Sequence, residues 1–143
     1  MKTTDKPTSQ EFHIAGVKHI APSDTLALLE KNEAVMIDVR EENEVRSENI
    51  PLSNVLYHPM SVIMERLPFI PKDQNIILGC PGGIRSTKVA NLLNLQGYPN
   101  AANLDGGFNL WKAEGLPFEI NLLTGGGCGC GSTSSADNGE SCC

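Results

Sequence analysis

A cysteine, two glycines, an arginine and a serine stand together in Cys80-Pro81-Gly82-Gly83-Ile84-Arg85-Ser86. A thiol in such a stretch can do nucleophilic chemistry if its surroundings favour the thiolate. The apolar run Asn75-Ile76-Ile77-Leu78-Gly79 leads in, and a helical pattern from Ser86 to Gln96 leads out. Cys80 is therefore predicted at a strand-to-helix turn. There, consecutive backbone N–H groups and the positive end of the next helix face a common centre. Both favour the charged sulfur, so Cys80 is expected to be an activated nucleophile. Gly82 and Gly83 supply the backbone freedom, Arg85 steadies the loop or steers an anionic donor, and Ser86 stands where a helix N-cap belongs. Pro81 and Ile84 complete the loop. Pro81 removes one possible N–H donor and presets the backbone of Cys80.

The elements that must position this loop alternate along the chain. Short strands are predicted at Gly16–Ile20, Ala34–Asp38, Asn54–Tyr57, Ile76–Leu78 and Ala101–Leu104. Between and after them come helical segments at Pro22 to Asn32, Glu41 to Ser47, Ser61 to Leu67, Ser86 to Gln96 and around Phe108-Asn109-Leu110-Trp111. Strands alternating with helices imply an α/β chain, with a mainly parallel sheet flanked by helices on both faces. Reactive groups in such sheets lie beyond the carboxyl ends of strands, which is where Asp38 and Cys80 fall. Asp38 and Arg40 are expected to support the loop, either as a structural ion pair or directly. His13, His19 and His58 are isolated in sequence and are expected to be surface or packing residues. Met36, Met60 and Met64 are expected to fill the core, and Trp111 to anchor the last helix.

Composition bounds the partners. The chain has 143 residues, 40% hydrophobic and 20% charged, with a net charge of −6. The charge argues against nucleic acid or an anionic membrane surface. Residues 1–11 are polar, carry no signal-like apolar segment and have little reason to fold. A cytoplasmic, monomeric protein is the expectation. Residues 12–123 carry every periodic signal, and residues 124–143 form a Gly/Cys-rich tail without a large apolar side chain, expected to be flexible. Four of the five cysteines lie there, as Cys128, Cys130, Cys142 and Cys143. Their thiolates are suited to a metal or an iron–sulfur cluster, and equally to relaying sulfur.

Four segments carry a resemblance. The loop Cys80 to Ser86 resembles the active-site loop of the rhodanese family of sulfurtransferases. Ile37-Asp38-Val39-Arg40-Glu41, Asn49-Ile50-Pro51-Leu52-Ser53 and Leu104-Asp105-Gly106-Gly107-Phe108 resemble three further markers of that family, in the same order. The second departs from the more usual His-Ile-Pro-Gly-Ala. The resemblance covers roughly Phe12 to Leu122. It implies a rhodanese-like parallel sheet and a cysteine that takes sulfane sulfur from a donor such as thiosulfate. Held as a persulfide, that sulfur then goes to cyanide, a thiol or a protein acceptor, with no cofactor required. Cysteine phosphatases have one more residue between cysteine and arginine, which makes room for a phosphate; the four residues here suit a single sulfur atom better. Gly127 to Ser132 is locally similar to the Cys-Gly-Cys-Gly end of A-type iron–sulfur carriers. An alternative reading is therefore a rhodanese-fold sulfur or metal carrier acting through the tail.

Overall fold

The computed structural model describes residues 1–120. Cys128, Cys130, Cys142 and Cys143 lie outside the described residues. Two units are distinguished. The larger comprises residues 1–41 and 51–117, and the smaller residues 42–50 and those from 118 on.

In the larger unit, short apolar runs become strands, the central ones buried on both faces and β4 at the edge half-buried. They are β1 (Lys18–Ile20), β2 (Ala34–Asp38), β4 (Val55–Tyr57), β5 (Asn75–Gly79) and β6 (Ala101–Leu104). All pair in parallel, in the order β1-β6-β5-β2-β4. The helices of this unit are α1 (Pro22–Glu30), α3 (Ile63–Arg66), α4 (Ile84–Leu95) and α5 (Gly107–Ala113). Helix α4 packs on β5 and β6, while α1 meets β2 and α5. Pro22 starts α1 at a position where its missing N–H costs nothing. In the smaller unit, α2 (Glu42–Ser47) precedes β3 (Glu48–Asn49), which pairs antiparallel with β7 (Glu119–Ile120). Two-residue strands offer no periodicity to read, and neither was anticipated.

The central strands bury almost everything they carry. Ile37, Ile76, Ile77, Leu78, Ala102 and Leu104 are fully buried, as are Phe108 to within 1% and Trp111. Trp111 satisfies its indole N–H by donating to the Pro117 carbonyl at 2.8 Å, so the expected anchor is in place. Met36 is buried and Met60 packs against the core, but Met64 is 52% exposed. The reason is that Ser61–Leu67 is not one helix. A 3-10 turn over Met60–Val62 precedes the single α-turn of α3, and a second 3-10 turn, Leu67–Phe69, follows it. Ile63 takes the inward position instead.

A candidate active site at the β5–α4 turn

Strand β5 ends at Gly79, and the next residue is Cys80, 1% exposed. The chain then turns tightly. Gly83, with φ of 89°, stands at the N-cap of α4 in the left-handed region that favours glycine. A Cβ there would also overlap the Gln10 side chain, 1.8 Å away. This turn folds two backbone N–H groups back onto the sulfur. Gly83 donates to Cys80 Sγ at 3.1 Å and Ser86 donates at 3.3 Å. The start of a twelve-residue helix therefore faces the thiol.

Ser86 is not the N-cap that the sequence suggested. Helix α4 begins two residues earlier, at Ile84, and no side chain caps it. Ser86 lies fully buried in the first turn, with Oγ 3.2 Å from Cys80 Sγ and donating to Asn103 Oδ1 at 2.5 Å. Arg85 and Pro81 are half-buried, whereas Gly82 and Ile84 are exposed. A cavity of about 550 Å³ opens beside this edge, lined by Phe12, Gly82, Ile84, Asn109 and Leu110 from the core and by Gln10 from the leading segment.

The neighbouring strand end carries Asp38 and Arg40. Asp38 pairs in register with Gly79. The Arg40 guanidinium grips its carboxylate through Nε, 3.0 Å from Oδ1 and 3.2 Å from Oδ2, and through Nη2, 2.8 Å from Oδ2, and both residues are 4% exposed. The Arg40 backbone N–H donates to the same carboxylate, and its guanidinium carbon lies 4.9 Å from the centre of the Phe108 ring. Two buried charges are tolerated there because each is matched and hydrogen-bonded. Helix α5 supports the loop from another side. Phe108 N–H donates to the Cys80 carbonyl at 2.9 Å and Asn109 N–H to the Pro81 carbonyl at 3.0 Å.

Sequence reasoning missed a set of polar residues behind the thiol. Asn103, fully buried on β6, donates to Gln10 Oε1 and contacts His19 Nδ1, both at 3.0 Å. His19 is also fully buried, and its Nε2 lies 2.9 Å from His13 Nδ1. Two histidines that stand apart in sequence are thus neighbours. Burial, reinforced by His13, pushes His19 below the ordinary histidine range, against a smaller opposing pull from Asp105. Burial does the same to His58, with Arg66 adding to it. The leading segment, expected to have little reason to fold, is tied down. Thr4 bridges His19 through two backbone bonds, the Thr8 and Ser9 N–H groups donate to the Asp105 carboxylate, and Gln10 reaches the loop. A legible signal existed: His19 and Asn103 are polar residues in buried strands, paired in register across β1 and β6.

The comparison with known proteins decides the family. The Rhodanese-like domain model matches residues 21–114, well over half of the chain. The chain belongs to the rhodanese-like family. It is 36% identical over 97 residues to the thiosulfate sulfurtransferase GlpE of Pseudoalteromonas translucida, covering 67% of this chain and 90% of that one. It is 34% identical over 90 residues to a sulfurtransferase of Allochromatium vinosum, covering 63% and 82%. These relatives make it a rhodanese-type sulfurtransferase. Among solved structures, a rhodanese-like domain protein from Staphylococcus aureus superposes with a TM-score of 0.62 at 31% identity, over 72% of this chain and 97% of that one. A rhodanese-related protein from Thermoplasma volcanium gives 0.64 at 25% identity, over 72% and 98%. Both agree with the rhodanese fold expected from the four segments. Among the described residues no group of histidine, cysteine and acidic side chains could hold a metal ion, and no helix is long and apolar enough to cross a membrane.

Proposed function

We propose that this rhodanese domain moves sulfane sulfur from thiosulfate to a thiophilic acceptor through a persulfide on Cys80. The observation that carries the reading is the pair of N–H groups, from Gly83 and Ser86, aimed at Sγ from the start of α4. The Cys80 thiolate attacks the outer sulfur of thiosulfate. A new S–S bond forms, the old one breaks, and sulfite leaves with the electron pair. The terminal sulfur, now anionic, lies at a turn whose backbone N–H groups replace solvent. Cyanide or a thiolate then attacks that sulfur and Cys80 leaves as thiolate, so atoms and charge balance without a cofactor. Asp38 and Arg40, already bound to each other, act by stiffening the β2 end beside the loop. A small donor, a thiol or protein acceptor, a monomeric state and a cytoplasmic setting belong to the same reading.

Steady-state transfer from thiosulfate to cyanide, and to a small thiol, tests it. Wild type should turn over with double-displacement kinetics, and Cys80→Ser should lose at least about a thousandfold. Turnover retained in Cys80→Ser would place the transfer elsewhere, the tail cysteines included.

A further inference from the structure

The contact between Cys80 Sγ and Ser86 Oγ has no donor fixed by its own geometry, since either atom can give the proton. The direction is settled several residues away, by groups that cannot change role. Gln10 Nε2 faces the Phe12 carbonyl at 2.9 Å and the Gly83 carbonyl at 3.3 Å, while Gln10 Oε1 faces the Gly106 N–H at 3.0 Å. Carbonyls only accept and backbone N–H only donates, so the Gln10 amide has one orientation. Its oxygen must then accept from Asn103 Nδ2. That turns Asn103 Oδ1 toward Ser86, which has a single proton and gives it to Asn103. Ser86 is left facing Cys80 with lone pairs. It can accept the thiol proton, and it has none to offer a thiolate. The histidine pair does not set this direction, because a neutral imidazole can exchange its donor and acceptor nitrogens and follow Asn103 either way.

We propose that Gln10 is a positioning residue which, through Asn103, turns the Ser86 hydroxyl proton away from Cys80 and so withholds that hydrogen bond from the thiolate. A sulfur that has taken up a second sulfur carries neither proton nor charge at Sγ, and the locked hydroxyl does not oppose it. Only the bare thiolate meets the lone pairs of Ser86. Its stabilisation then rests on backbone N–H groups at the start of α4, those of Gly83 and Ser86 among them. With Gln10 removed, the Asn103 amide is free to turn over, give Nδ2 to Ser86 and release the hydroxyl proton to the thiolate.

The inference rests on Cys80 being the reactive thiol and is tested without any sulfur transfer. The rate of iodoacetamide alkylation at Cys80 is measured at neutral pH on the full chain, with peptide mass resolving Cys80 from the tail cysteines. Four proteins are compared: wild type, Ser86→Ala, Gln10→Ala and the double variant. Gln10→Ala should raise the rate about fivefold, the worth of about one hydrogen bond. Ser86→Ala should raise the wild-type rate about twofold, by removing the acceptor of the thiol proton. In the Gln10→Ala background the same serine change should lower the rate about fivefold. This reversal of sign is something a purely structural role for Gln10 would not produce. Slower alkylation in Ser86→Ala alone, or no reversal in the double variant, would overturn the inference. Sulfur loading from thiosulfate, run in parallel on wild type, separates the two ideas: absence of loading there counts against the transfer reading, whatever the sign of the serine effect.

Discussion

Two strand-to-helix turns stand side by side at the carboxyl edge of the sheet, one from β5 into α4 and one from β6 into α5. Both pass through a glycine in the left-handed region at the helix N-cap, Gly83 with φ of 89° and Gly106 with φ of 79°. Both therefore expose the donors of a helix start. They use them differently. The β5–α4 turn aims Gly83 and Ser86 N–H at a side-chain sulfur, whereas the β6–α5 turn gives Phe108 and Asn109 N–H to the carbonyls of Cys80 and Pro81. A helix N-terminus attracts negative charge only with the donors left unspent. The second turn is thus a brace, and its partner is the first.

The largest effect should come from crowding the brace. Gly107 has φ of 65°, and a Cβ there would meet the carbonyl oxygens of Cys80 and Pro81 at 2.4 Å. Gly107→Ala is expected to cost about 3 kcal/mol in denaturant unfolding, since backbone on both sides must shift. Gly83→Ala should cost less stability, about 1 to 2 kcal/mol, because its Cβ meets the end of the flexible Gln10 side chain and backbone strain is the main penalty. Its effect on sulfur transfer should nevertheless be severe, as the turn that aims the N–H groups is the part altered. If Gly83→Ala proved the more destabilising of the two, the division into brace and cradle would fail.

A smaller effect concerns acid. His19 is held below the ordinary histidine range chiefly by burial, so the unfolded chain takes up a proton that the native chain resists. Its contribution to stability is complete above the unfolded value of about 6.5 and is lost as pH falls through the lower native value. His58 acts in the same direction. Thermal midpoints should fall between about pH 7 and about pH 5, and the fall should be shallower in His19→Gln. An equal slope in the two proteins would mean that His19 does not resist protonation.

The cradle is legible because its parts are contiguous: an apolar strand, a cysteine, two glycines and a helix read off one stretch, and β2 and β6 have the limits predicted for them. The brace was half legible. Gly106-Gly107-Phe108 stands out in the sequence, but the hydrogen bonds from Phe108 and Asn109 to Cys80 and Pro81 depend on β5 and β6 being neighbours. Of the polar chain through Gln10, Asn103 and His19, only the two polar residues in otherwise buried strands are legible; their joining is not, since it spans separations of 84 and 93 positions. The displaced start of α4 has a local cause. Serine is a good cap in general, but this turn places glycine there and puts Ser86 against the sulfur.

The most direct measurement treats the intact protein with thiosulfate and maps added sulfur by peptide mass, in wild type and in Cys80→Ser. The account predicts added sulfur on the peptide containing Cys80 in wild type and none at that peptide in the variant. Sulfur found only on peptides containing Cys128, Cys130, Cys142 or Cys143, or loading equal in the two proteins, would contradict it.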